Sequence, residues 1–539
     1  MSAPLDQFVP GTVHLIDIVG NLNVKKKEGA DIILQPQPSN NIDDPLRWSS
    51  VKKHFQFGVV VFWSFLLAAA LNFVSPIFGT WVKELGLTNS QLNISMALGF
   101  LFLAVGVMIN QPTGLKIGKR PIYLFATVVA IVGIAIGSQA HSIGRLYGFK
   151  ILIGYAASPV DSLVEITATD LYFQHQRSSK FGALVLALYL GNYLGPVAAG
   201  YVVDSLDWRW AFYIWLIILG CLLIGCFFLM QETTFSRNLD DVNLENEIIH
   251  QLTSKDTNPP DQEKQNQFVT QEVHDFSSIL KSNLYYKKLK IWDTTQGDKR
   301  SWFTIFIRPF FLLGYPAVLF GGAVYGSQMM WLSLVAVTQS QIYGAPPYYF
   351  SPGSVGLTNL GACVGCVFGM LYGGYFVDWL AIKLSQRNDG IYEPEFRLWA
   401  MVAPTILNAG GILAYGLGSY TQAPWAISVV IGQGLIGFSS ASSGTICLTY
   451  AVDSYRALAS EAIVCILVIR NLIGCGFTFA VAPWLQTSGL KEMTWLLFMI
   501  SIVINVTFIP LLIWGKTIRR KTANSYEKFS DPKFGEFFK

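Results

Sequence analysis

The strongest constraint on this chain is the spacing of its apolar stretches: twelve runs, each long enough to cross a bilayer, stand six on either side of one long polar insert. In hydrocarbon every backbone N–H and C=O of such a run must be satisfied within the run, so each reads as an α-helix. The runs fall at 57–79, 92–111, 121–139, 144–168, 181–203 and 210–230, then at 310–338, 355–377, 398–417, 425–450, 462–485 and 493–514. The expected fold is an all-α membrane protein of twelve transmembrane helices in two six-helix halves. Its expected parts are a tail (1–55), a first half (56–230), a central loop (231–305), a second half (306–515) and a second tail (516–539).

With 52% apolar and only 13% charged side chains, a soluble globule would be left with large exposed apolar patches. The net charge of +4 gives no basis for a nucleic-acid partner. Lys25, Lys26, Lys27, Lys52 and Lys53 precede the first run, Lys116, Lys119 and Arg120 follow the second, and Arg519, Arg520 and Lys521 follow the last. Loops of the other parity hold only scattered positives, so both termini are expected in the cytoplasm. All seven cysteines fall within runs. Cys363 and Cys366 form a CxxC, but Gly361, Gly365 and Gly369 around them point to close helix packing; no metal or cofactor is expected. The polar insert reads as a flexible linker.

The halves repeat. The fourth run ends in Ala168-Thr169-Asp170-Leu171-Tyr172 and the tenth in Ala451-Val452-Asp453-Ser454-Tyr455. Parallel six-helix repeats enclose a central cavity and alternate its access by rocking against each other, which is transporter architecture. Ionisable side chains inside spans are costly and normally face that cavity. On the fourth run Lys150, Asp161 and Glu165 fall within roughly 60° of one another at about 100° per residue. Asp161, deeper in the hydrocarbon, is the leading acid for binding a cation and exchanging a proton, with an ion pair to Lys150 as the alternative. Glu165 is open between that role and pairing with Arg177 or Lys180. Arg470, buried in the eleventh run, needs an acidic or carbonyl partner from another helix, and Asp161 is one match. Asn72, Tyr325, Gln328, Trp331, Gln433 and Ser440 are candidate cavity-lining residues, readable equally as interhelical hydrogen-bonding groups. No His or Cys pair has nucleophile or metal spacing in the spans, so no enzyme is expected.

Lys116-Ile117-Gly118-Lys119-Arg120, after the second run, is similar to the basic half of the loop motif of the major facilitator superfamily, with Leu115 where an acid is usual. The second half restores the acid in Gly374-Tyr375-Phe376-Val377-Asp378. Gly191-Asn192-Tyr193-Leu194-Gly195-Pro196, continuing to Gly200, resembles the fifth-helix motif of that superfamily's drug:proton antiporter branch, while Lys150 stands where that branch usually has Arg. Pro10-Gly11-Thr12, Gln35-Pro36-Gln37-Pro38-Ser39, Asp44-Pro45-Leu46-Arg47-Trp48-Ser49-Ser50 and Asp170-Leu171-Tyr172-Phe173-Gln174-His175-Gln176 resemble fungal relatives of the histidinol-permeable polyamine importer.

This resemblance implies a gate built from Lys116, Lys119, Arg120, Asp170, Arg177, Asp378 and Asp453, and helix packing through Gly191, Gly195, Pro196 and Gly200. It implies a proton-coupled, alternating-access carrier of small, polyamine-like organic cations, a monomer whose partners are a small-molecule substrate, protons and the lipid bilayer. The plasma membrane is the expected location, with the vacuolar membrane an alternative. An antiporter exporting amphipathic drugs is the second reading and a non-transporting nutrient sensor the third. Asn72 and Gln328 are uncharged where a polyamine carrier would be expected to hold acids, which leaves a less highly charged cation open.

Overall fold

The computed structural model describes residues 9–14, 44–173, 176–234 and 300–530, without the side chains of Arg177 and Ser178. The insert expected to be a linker lies, from 235 to 299, outside the described residues. The first six spans are Ser50–Leu85, Asn89–Ile117, Lys119–Ser138, Ile143–Leu171, Ser179–Ser205 and Arg209–Leu229. Spans seven to ten are Pro316–Tyr343, Pro352–Arg387, Pro394–Tyr420 and Ile427–Ser454. The remaining helical stretch, Arg456–Ser530, has 75 residues. At 1.5 Å per residue a straight helix of that length would run about 110 Å, more than three bilayer cores. It breaks at Gly489 (φ 70°, ψ 168°), which supplies the turn between spans eleven and twelve.

Local chemistry sets where spans begin. Asp44 accepts from the Leu46 N–H at 2.9 Å, Ser49 caps the first span, and Lys53 donates to the Leu46 carbonyl at 2.7 Å, so the Asp44-to-Ser50 motif is a capping turn. Thr88 and Gln91 form a reciprocal capping box at the start of the second span. Two expected boundaries move. The stretch at 310–315 is not the start of the seventh span: a short helix, Trp302–Phe311, precedes it and turns at Leu312–Gly314. Its Phe303, Phe310 and Phe311 are exposed while Arg308 is buried, an amphipathic pattern in which the apolar side had concealed a break from the seventh span. The twelfth span also continues as helix to Ser530, well into the expected tail.

Glycine sets how closely spans approach. A Cβ at Gly195 would lie 2.6 Å from the Ala69 carbonyl of the first span, and one at Gly200 would lie 2.7 Å from the Pro352 carbonyl of the eighth. Gly191 meets the Phe65 carbonyl still more closely, and the Pro196 carbonyl would lie 2.9 Å from a Cβ at Gly356. The fifth span thus packs on its own half through Gly191 and Gly195 and on the other half, from its opposite side, through Gly200. Gly361, Gly365 and Gly369 do the same for spans eight and ten, where Cys366 Sγ donates to the Gly437 carbonyl at 3.3 Å.

Gly365→Val is therefore expected to push spans eight and ten apart, at a cost of about 1–3 kcal/mol or more. Gly220→Val, whose added Cβ meets nothing within 4 Å, should be neutral. Thermal unfolding of both variants in detergent checks this; equal midpoints would contradict the packing argument.

Candidate functional site

The fourth span is two helices, Ile143–Asp161 and Leu163–Leu171, joined at Ser162 after Pro159. Proline removes a backbone donor and bends the helix. Asp161 therefore ends one segment, and Glu165 lies in the first turn of the next, where the helix dipole favours a negative charge. Lys150 sits about 16 Å further along the axis, eleven residues at 1.5 Å each. It does not pair with Asp161: its ammonium donates to the Leu71 carbonyl of the first span at 2.7 Å. The shared angular face was real, but distance along the helix decides.

Arg470 reaches from the eleventh span to Asp161 and forms an ion pair between the two halves, both side chains essentially out of solvent. Its Nε donates to Asn471 Oδ1 at 3.0 Å, Asn471 Nδ2 donates to the same Asp161 oxygen at 3.1 Å, and the guanidinium lies 4.7 Å from the Tyr325 ring centroid. Glycines make room: a Cβ at Gly326 would stand 3.3 Å from the Arg470 Cα, and one at Gly444 would stand 2.7 Å from the Tyr325 ring.

Glu165 is buried, and its Oε2 has no hydrogen-bond partner. Lys180, one of its expected partners, lies over the Tyr172 ring instead, 4.6 Å from the centroid; the Arg177 side chain is outside the described set. The charges acting on Glu165 are those of Asp161 and Arg470. Beside them the hydroxyls of Tyr189 and Tyr325 and the Nη1 of Arg470 are likewise buried without partners, as is the hydroxyl of Tyr193 next to Tyr189. The two fifth-span tyrosines stack at 6.4 Å and had no distinguishing signal in the sequence.

The other cavity candidates divide. Asn72 donates to Asn192 at 2.6 Å, tying spans one and five. Gln328 accepts from Asn408 at 3.1 Å and Ser440 at 3.3 Å, tying spans seven, nine and ten. These are interhelical hydrogen bonds. Gln433 and the Trp331 Nε1, by contrast, are buried with no partner.

Both ends of the site are closed by contacts between the halves. On the face carrying both described chain ends, called here the terminal face, Asp378 accepts from Ser179 N and Oγ at 3.0 and 2.8 Å, and Gln111 donates to Ser460 at 2.8 Å. On the opposite face Asp204 accepts from Gly353 N and Ser351 Oγ, each at 2.9 Å. The halves are thus in contact at both faces.

Charge clusters back the terminal face. Lys119 pairs with Asp170, and Arg397 pairs with Asp453 at 3.0 Å and Asp378 at 2.9 Å, so the repeated Asp at the end of the fourth span of each half meets a base at the start of the span immediately before it. Arg120 donates to the Phe227 carbonyl at 2.6 Å, and Lys116 to the Arg300 carbonyl at 3.5 Å. The acid missing at Leu115 is replaced by Glu232, which caps the third span by accepting from the N–H groups of Lys119 and Arg120 at 3.1 and 3.0 Å. Glu461 pairs with Arg308 at 3.3 Å and Arg300 at 3.5 Å. Glu232 and Arg397 were missed because each stands beside a span, where a charge commonly marks only the membrane boundary.

Two six-span halves closed around a buried, charged centre define a membrane transporter, not an enzyme. The chain belongs to the Major Facilitator Superfamily, which residues 60–475 match. It is 30% identical to an uncharacterized MFS-type transporter of Schizosaccharomyces pombe, over 97% of this chain and 94% of that one. It is 26% identical to Protein HOL1 of Saccharomyces cerevisiae, over 96% of each, and 26% identical to the MFS transporter cpaT of Aspergillus oryzae, over 88% and 89%. Among solved structures, the proton:xylose symporter XylE shares the fold with a TM-score of 0.56 at 13% identity, over 87% of this chain and 96% of that one.

Arg470→Gln should leave Asp161 charged, buried and alone, destabilising the protein by about 3–5 kcal/mol. Adding Asp161→Asn should restore more than half of the loss. Thermal unfolding of the single and double variants measures this; an Arg470→Gln protein as stable as the parent would show that the pair bears no load.

Proposed function

We propose that this chain is a proton-coupled carrier of small organic cations, working by alternating access. The observation that carries the reading is the central charge count: Asp161 and Glu165 face one base, Arg470, leaving one buried carboxylate unmatched. A buried charge without a partner is costly, so Glu165 is satisfied by a proton or by a cation from outside. The geometry shifts the leading role. Asp161 is engaged by Arg470 and acts as the lock between halves, while Glu165 is the acid open to exchange.

A cation entering beside Glu165 also meets the rings and hydroxyls of Tyr189 and Tyr325, which attract ammonium groups. Its positive charge competes with Arg470 for Asp161. Release of that pair frees the halves to rock, and protonation of the acids resets them. We assign the terminal face to the cytoplasm, from the basic residues beside it, and the protein to the plasma membrane.

The Gly191-to-Gly200 stretch supports the second reading, export of amphipathic compounds against protons, since its Pro196 and Gly200 bring the fifth span against the eighth, where the halves meet. Direction separates the two. Transporter-deficient yeast expressing this chain should take up radiolabelled spermidine or a singly charged amine saturably, and lose uptake when the proton gradient is dissipated. Glu165→Gln and Asp161→Asn, at matched surface expression, should each reduce uptake at least tenfold. No uptake of either amine by parent protein at the surface would overturn the importer reading, and faster loss of preloaded amphipathic cations would establish the exporter.

A further inference from the structure

We propose that residues Val9–His14 form a clasp that holds the terminal-face gate shut, making the N-terminal segment a regulator of the transport cycle. Nothing in membrane physics calls for Pro10-Gly11-Thr12, yet the segment is built into the gate. Gly11 has φ +83°, and a Cβ there would lie 2.6 Å from the Asp453 carbonyl and 2.9 Å from the Ser454 Cα, so only glycine fits both the backbone and the space. The Pro10 carbonyl accepts from Arg519 of the twelfth span, whose Nη1 also donates to Thr12 Oγ1 at 3.2 Å. Arg519 is held in turn by a two-pronged pair with Glu395, at 2.8 and 2.6 Å.

Val13 and His14 then pair antiparallel with Tyr392 and Ile391, the two-stranded ladder among the described residues. The ladder fixes Tyr392, and Tyr392 leads to the gate. Its hydroxyl donates to Asp453 Oδ2 at 2.7 Å and accepts from Arg397 Nε at 2.7 Å. Arg397 Nη1 orients Asp378 at 2.9 Å, and the other oxygen of Asp378 holds the first turn of the fifth span through Ser179. One unbroken chain of contacts therefore runs from the tail, through the second half, to the bond that joins the halves.

Opening the terminal face requires Asp378 to leave Ser179. While the clasp is seated, Tyr392 and Arg397 hold Asp378 in the bonded orientation, which favours closure. Unseating residues 9–14 frees the ladder and removes that bias. The clasp acts on the gate without touching Asp161, Glu165 or Arg470, so its effect is on access and is independent of which solute the centre accepts.

The test is the accessibility of the second gate contact. Ser460→Cys, in the full chain with the exposed Cys221 replaced by Ser, is reconstituted in lipid nanodiscs, and its rate of reaction with a polar maleimide is measured. Removing residues 2–14 is expected to raise the rate at least fivefold. Tyr392→Phe, which keeps the tail but cuts its link to Arg397, should raise it similarly, and the two changes together should do no more than the larger alone. Thermal midpoints report whether each variant is folded. An unchanged rate on tail removal in a folded protein, or effects of tail removal and Tyr392→Phe that add in full, would overturn the clasp.

Discussion

Arg470 and Asp161 meet from opposite halves, both buried, where neither has water to fall back on. The cost of leaving either charge alone in hydrocarbon binds the halves more tightly than the modest net strength of an ion pair would suggest. The halves can separate there only if something else satisfies Asp161; in the cycle proposed above, that is a proton or a cation. Glycines at 326 and 444 exist to let the pair and its aromatic platform come together. The gates at either face are hydrogen bonds from single carboxylates to the first turn of a span, Asp378 to the fifth and Asp204 to the eighth. Asp204 is exposed, whereas Asp378 is buried beside Arg397, so the two contacts differ in how readily water reaches them.

The twofold repeat extends to this chemistry. Asp170 with Lys119 and Asp453 with Arg397 are the same device in each half. The halves differ in their supports. The first recruits Glu232 from the end of the sixth span, close against Gly118, whose φ of +103° no other residue adopts easily. The second recruits the N-terminal segment and the twelfth helix. Each half thus solves the shortage of local charge by borrowing from a part of the chain distant in sequence.

Much of this was legible in the sequence. Spans, halves and the repeated Asp follow from hydropathy, because a bilayer leaves the backbone almost no alternative to helix. Asp161 and Arg470 were visible as charges in the wrong solvent. Angular position on a helix could not reveal that Lys150 is too far along the axis to reach Asp161, or that Pro159 and Ser162 divide the span between Asp161 and Glu165. Tyr189 and Tyr193 carry no charge and sit in an apolar run, so nothing marked them. The end of Trp302–Phe311 was counted into the seventh run, which began at Phe310, because an amphipathic surface helix and the edge of a span have the same composition.

Burial divides the spans into two kinds. The most apolar window of the sixth span is only 28% buried, against 89% for those of the seventh and tenth. Hydrocarbon makes few distinctions among Leu, Ile, Val and Phe, so residues on the outer spans can exchange with little cost. Sequence can drift there like the lettering on a wall whose bricks stay put. Two proteins of this architecture can therefore differ at three positions in four and still close around the same kind of centre, and resemblance between them is better weighed on the inner helices than averaged along the chain.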